Sequence, residues 1–215
     1  MIEEGEHQKQ DFKFCINDSR KIARTLVAFA NTDGGRLLIG VKDNGVISGI
    51  KSDEEYYMAE AAAKLYSKPQ IPFKTKQWVV EGKTVLEVII KKSTERPHYA
   101  EDEQGKWLAY IRKDDENILA NRIMLEVWKR EKSVKGVFIS FTDDEKELLR
   151  LLEHNESISI SKYARKTGIS RRKAERILIN LVAVKVVIMD IKENRIVYSL
   201  GEDFSHNDKD LYHPN

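Results

Sequence analysis

With one cysteine, Cys15, and five scattered histidines, His7, His98, His154, His206 and His213, this 215-residue chain has no means of forming an internal disulfide or a thiolate metal site, and no spacing that suggests zinc. Long apolar runs are also missing. None approaches the roughly 18 residues of a membrane span, and the opening MIEEGEHQKQD is polar and acidic where a secretory signal is basic and then apolar. A cytoplasmic protein without a membrane partner is therefore expected. The string G-x-x-x-x-G-K-[ST] is absent, so no lysine and loop amides are set to cradle phosphates and no ATP is expected. Gly34-Gly35 follows a helical segment and precedes a strand, the reverse of the order that points a helix N-terminus at phosphate. There is no nucleophile-elbow string, no internal repeat and no low-complexity tract.

What the chain does have is charge. Charged residues make up 33% and hydrophobic residues 41%, enough apolar content to fold, and the length favours two compact units. The net charge of +2 is unevenly spread. Residues 1–135 carry 24 basic against 22 acidic side chains, residues 136–200 carry 12 against 9, and residues 201–215 carry 1 against 4. The short basic block has the electrostatic footprint of a polyanion binder.

Residues 19–30 place Ile22, Ala23, Leu26, Val27, Phe29 and Ala30 at helical spacing behind Asp18 as N-cap. The helix stops in Asn31-Thr32-Asp33-Gly34-Gly35, and RLLIGV then reads as a buried strand. Asp43-Asn44-Gly45 predicts a turn into a second strand, VISGI. A helix is expected over 53–67 through Tyr57, Ala61 and Leu65, then strands FKTKQWVV and KTVLEVII about a turn at Glu81-Gly82. WLAYIR reads as one strand, and 117–130 as a helix that closes the first domain with Ile118, Ile123, Leu125 and Trp128. Consecutive hairpins among helices favour a mixed-sheet α+β fold over a doubly wound one.

A new unit begins after Lys132–Ser140. Thr142-Asp143-Asp144-Glu145 has capping-box spacing before Leu148, Leu149, Leu151 and Leu152. A short second helix carries Ile160, Tyr163 and Ala164. Thr167-Gly168-Ile169-Ser170 is a turn, and Ala174, Ile177, Leu178 and Leu181 form the inward stripe of a third helix. VVIMDI and RIVYSL, about Lys192-Glu193-Asn194, complete a hairpin. Three helices followed by a hairpin is winged-helix order. The expected division is 1–135, 140–200 and a mobile acidic tail at 201–215.

The third helix is patterned to bury one stripe and offer the other to a major groove. Between 161 and 176 lie Lys162, Arg165, Lys166, Arg171, Arg172, Lys173 and Arg176 against one acid, Glu175, a cluster that core packing does not require. Its alternatives are a solvated face or a protein-docking module without nucleic acid.

Three segments carry a resemblance: Glu6-x4-Asp11-Phe12-Lys13; Phe29-Ala30-Asn31-Thr32-Asp33-Gly34-Gly35 running into Leu38-Ile39-Gly40-Val41-Lys42-Asp43; and Arg96-Pro97-His98-Tyr99 before Tyr110-Ile111-Arg112. In order and spacing these resemble the Schlafen/AlbA_2 family over about residues 1–130. The resemblance implies an α+β nucleic-acid-binding domain, often dimeric and often paired in bacteria with a helix-turn-helix. Some eukaryotic relatives are metal-dependent ribonucleases, and their three carboxylates correspond here to Glu6, Asp11 and Asp43. Such a trio suits Mg²⁺ or Mn²⁺, which prefer oxygen ligands. Asp11 stands where the family usually has Glu, and Lys42 where an acid is common. Lys13, Arg24, Arg36, Arg112 and Lys113 are candidate phosphate contacts. The leading expectation is a homodimeric transcriptional regulator that binds duplex DNA and requires no cofactor. The alternative is a Mg²⁺- or Mn²⁺-dependent nuclease.

Overall fold

A computed structural model describes residues 1–132, 142–192 and 195–202. The chain divides into two compact units, Met1–Ala120 and Asn121–Asn215.

In the first unit a 3-10 turn at Ile2–Glu4 leads to β1 (Gln10–Lys13), α1 (Ser19–Asn31), β2 (Gly35–Ile39), α2 (Glu54–Lys64), β3 (Ser67–Lys68), β4 (Phe73–Val80), β5 (Lys83–Ile90), β6 (Tyr99–Glu101), β7 (Trp107–Leu108), β8 (Tyr110–Lys113) and β9 (Glu116–Leu119). The main sheet has the order β1-β2-β5-β4, with β1 parallel to β2 and the other pairs antiparallel. Strand alternation sends Leu37, Ile39, Leu86, Val88 and Ile90 into the core shared with α1, while Phe12, Leu38, Val41 and Val85 form a smaller cluster. Asp18 caps α1 by accepting from the Arg20 amide at 2.8 Å. Every residue of α1 from Thr25 to Asn31 is buried, so this helix is the centre of the unit.

The glycine pair after α1 has a steric reason. Gly34 has φ +71, and a Cβ there would lie 2.7 Å from the Ile90 carbonyl oxygen. On Gly35 it would lie 2.5 Å from the Phe29 ring. The turn from central helix to central strand closes only without side chains.

Several expectations are corrected here. VISGI forms no strand, only a bridge between Val41 and Ile47, because the amides of Ser48 and Gly49 both turn back to the Gly40 carbonyl at 2.9 Å. The buried face of α2 is Glu55, Ala59, Ala62 and Ala63; Tyr57 and Leu65 are exposed. WLAYIR is split at Ala109, its first half pairing with β6 and its second with β9. The segment read as one helix over 117–130 is first a strand, turned by Asp114 at φ 55, and then a helix.

That helix, α3 (Arg122–Glu131), opens the second unit and is capped by Asn121, which accepts from the Met124 amide at 2.8 Å. It is followed by α4 (Asp143–Glu153), α5 (Ile160–Thr167), α6 (Arg171–Ala183), β10 (Val187–Lys192) and β11 (Arg195–Leu200). The boundary between units thus falls at Ala120/Asn121, earlier than the expected 135, because Ile123 and Val127 are buried with Leu148, Leu149, Leu178 and Tyr198. The capping-box pair forms with altered roles: the Thr142 hydroxyl donates to the Glu145 carboxylate and does not cap an amide. Ser159 and Ser170 cap α5 and α6 by accepting from the amides of Lys162 and Lys173, and Gly168 supplies the left-handed residue between them. β10 and β11 pair antiparallel. Residues 133–141, which take in nearly all of the weakly patterned Lys132–Ser140, together with residues 193–194 and the expected tail from 203 onward, lie outside the described residues. Among the described residues no helix is long and apolar enough to cross a membrane.

Candidate nucleic-acid interface

In the second unit, the turn at Gly168 joins two helices whose exposed sides are basic. Arg165, Lys166, Arg171, Arg172, Lys173 and Arg176 are all exposed, and Lys162 is half-buried. Their commitments differ. Lys162 Nζ donates to Asn155 Oδ1 at 3.2 Å, Arg171 Nε lies 3.3 Å from Glu175 Oε1, and Lys173 pairs with Asp144. Arg172 and Arg176 make no hydrogen bond or ion pair among the described residues. The cluster is thus a cationic surface in which some charges are spent locally and others are left to solvent or a ligand.

One feature of α6 departs from the sequence reading. Its outward face does not stand clear along the whole helix, because α3 packs against it. Arg122 Nη1 lies 3.6 Å from Glu175 Oε2, and Arg130 donates to Asn180 Oδ1. Ile179, on the side of α6 facing α3, is buried. An apolar side chain there needs cover, and α3 provides it. Arg122 and Arg130 were not candidates from sequence, since their helix read as part of the first domain. The available signal was their spacing: Arg122, Glu126 and Arg130 recur every four residues, one polar stripe on a helix whose other stripe holds Ile123 and Val127.

In the first unit the expected carboxylate trio does not assemble. Glu6 and Asp11 do meet: Glu6 Oε1 accepts from the Phe12 amide at 2.9 Å, and burial together with the neighbouring Asp11 carboxyl pushes the Glu6 pKa up. Asp43 is exposed in the turn after Val41. Among the described residues no three His, Cys, Asp or Glu side chains are grouped to hold a metal ion. The Asp11 oxygens are already occupied. Oδ1 faces Arg112 Nη2 at 3.3 Å, and Oδ2 faces Lys13 Nζ at 3.0 Å and the Thr25 hydroxyl at 3.4 Å. Two fixed cations where a divalent ion would sit make a poor donor set, so these residues do not fit a bound Mg²⁺ or Mn²⁺.

Arg112, a candidate phosphate contact from the sequence, is 2% exposed. Its guanidinium also donates to the carbonyls of Gln10 and Asp114 and to Asn117 Oδ1, each at 3.1 Å, and lies over the Phe29 ring. Asn117 Nδ2 in turn donates to Thr25 Oγ1 at 3.0 Å, which closes a ring of contacts through Asp11. This arginine staples β1, α1 and β8–β9 together and offers nothing to phosphate. Of the other candidates, Lys13 is tied to Asp11 and to the Phe12 carbonyl, and Arg36 to Glu4 and Gln10 at 2.9 and 2.6 Å. Arg24 and Lys113 are half-buried.

Residues 6–121 match the family model of Schlafen, AlbA_2, and residues 145–200 match that of the PCI domain. No curated protein matches the chain. Among solved structures, the DIP2311 protein from Corynebacterium diphtheriae is 20% identical with a TM-score of 0.43, over 68% of this chain and 30% of that one. The N-terminal domain of a RecG-related protein from Nitrosomonas europaea is 21% identical with a TM-score of 0.37, over 54% of this chain and 82% of that one. This chain thus spans 30% of the length of the first of these proteins. With the matched segment taking in more than half of its residues, the chain belongs to the Schlafen, AlbA_2 family.

Proposed function

We propose that the chain is a DNA-binding transcriptional regulator, cytoplasmic and dimeric, whose second unit works as a winged helix-turn-helix. The observation that carries this reading is the exposed basic surface of α5 and α6 on either side of the Gly168 turn, in a unit that continues into a two-stranded hairpin. In this reading the N-terminal half of α6, Ser170 to Arg176, enters the groove. Arg165 and Lys166 contact the backbone, and β10–β11 is the wing. The first unit adds weaker contacts through Lys13, Arg24, Arg36 and Lys113 and supplies the dimer. Support for the dimer comes from β4, which lies at the sheet edge and among the described residues pairs with β5 alone. Val79 on this strand is 73% exposed, and an exposed edge of this kind favours pairing with another strand. The nuclease is not part of the proposal, since among the described residues no three acidic side chains are grouped to hold a metal ion.

The test is incubation of the full chain with labelled single- and double-stranded DNA and RNA, in Mn²⁺ or EDTA, scoring retention and cleavage together. Retention of duplex DNA without cleavage supports the regulator. Mn²⁺-dependent cleavage, or retention of none of the four probes, overturns it.

A further inference from the structure

Between α3 and α6 lies a cleft of about 490 Å³ whose lining side chains include five cations and two carboxylates. The excess of positive charge is not neutralised within the unit. Glu175 is shared between Arg122 and Arg171, and Glu126 is drawn to Lys129 at 2.7 Å. Arg172 and Arg176, four residues apart and therefore on one stripe of α6, have no anionic partner among the described residues. Arg122 and Arg130 stand on the opposite wall. Guanidinium forks on two facing helices, with an apolar patch at Ile179, suit a tetrahedral oxyanion attached to an organic body. The volume is in the range of small-ligand sites and far above the roughly 30 Å³ share of one water.

We propose that the α3–α6 cleft is a phosphate-binding site, with Arg172 and Arg176 from one wall and Arg122 and Arg130 from the other as its ligands. The site shares Arg172 and Arg176 with the segment of α6 proposed to enter the groove and so deepens that reading, and it brings α3 into the binding surface. A phosphate of a nucleic-acid strand and a phosphate carried by a free small molecule share this chemistry, so the probes must separate them.

The experiment uses the full chain at low ionic strength. Binding of inorganic pyrophosphate is measured by calorimetry and binding of a labelled single-stranded DNA 12-mer by anisotropy, for wild type, Arg122→Ala and Glu126→Gln. Arg122 is largely exposed and Glu126 pairs with Lys129 at the surface, so both variants should fold, with unfolding curves as the check. Arg122→Ala should weaken pyrophosphate by about tenfold, the usual scale for one charge-assisted bond. Glu126→Gln should tighten it, a gain that partial unfolding does not mimic. Parallel changes with the 12-mer assign the cleft to a nucleic-acid phosphate, and changes with pyrophosphate alone assign it to a free one. Wild-type failure to bind either probe overturns the site, as do affinities that neither variant alters. DNA retained with no response to either variant removes the cleft and spares the regulator. Pyrophosphate binding that responds to both variants, with none of the single- and double-stranded DNA and RNA probes retained, does the reverse.

Discussion

Arg112 reaches Asp11 at 3.3 Å across 101 residues of sequence, with side chains only 1% and 5% exposed. A charge pair so removed from water holds together because the remaining guanidinium donors are also met, by two backbone carbonyls and Asn117. Breaking one side strands the other. Arg112→Met should therefore destabilise the first unit by roughly 3–5 kcal/mol. Arg112→Lys should also be costly, since an ammonium cannot reproduce the fork. Urea denaturation checks both, and a lysine variant of wild-type stability would show that charge alone suffices.

Glu6 should make the fold sensitive to pH in one direction. Its carboxyl has a raised pKa, first through burial and then through Asp11, so the folded chain holds this proton more tightly than the unfolded chain does. The associated stability is fully present below the ordinary value near 4.5 and is lost as pH rises through the folded value. Glu6→Gln keeps an acceptor for the Phe12 amide without the charge. Its stability relative to wild type should rise across that window and stay higher at neutral pH. Thermal melts of the two proteins between pH 4 and 8 give the comparison, and parallel curves would contradict it.

Gly35→Ala should cost roughly 1–3 kcal/mol through overpacking against Phe29. Gly34→Ala adds a strained positive φ to a clash with backbone, so its loss should be the larger of the two. Chemical denaturation ranks them. Gly82→Ala, where a Cβ meets nothing within 4 Å, shares the positive φ without the crowding and should be the mildest.

For the regulator, Arg171→Ala combined with Arg172→Ala should weaken duplex DNA by roughly 1–3 kcal/mol per base-contacting arginine and flatten the salt dependence. Both residues are exposed, so folding should be spared. Unchanged affinity and salt slope in an anisotropy titration would take α6 out of the DNA site.

For the dimer, sedimentation of the full chain at tens of micromolar, about where a functional dimer should persist, should show two chains. Val79→Lys places a charge on the exposed edge strand and should shift the population to one. A wild-type monomer would count against the proposed symmetry.

The sequence by itself determined most local elements, with VISGI, WLAYIR and residues 117–119 as the exceptions. Asp18 marked a helix start because a side-chain oxygen one residue ahead of a helix caps its free amides wherever that helix packs. The Gly34-Gly35 pair, the alternation of β2 and β5, and the inward stripe of α6 were legible for the same reason: period and backbone freedom are properties of adjacent residues. Tertiary structure decided everything that depended on which distant surfaces meet. Tyr57 and Leu65 looked like a core face until Ala59, Ala62 and Ala63 proved to be the side small enough to pack. α3 was readable as a helix, but only its burial with Leu148 and Leu178 assigned it to the second unit. Glu6, Asp11 and Asp43 looked alike as acids. Whether an acid binds a cation, a neighbouring arginine or only water depends on groups brought near it by folding, and Arg112, 101 residues away, was one that no local pattern could supply.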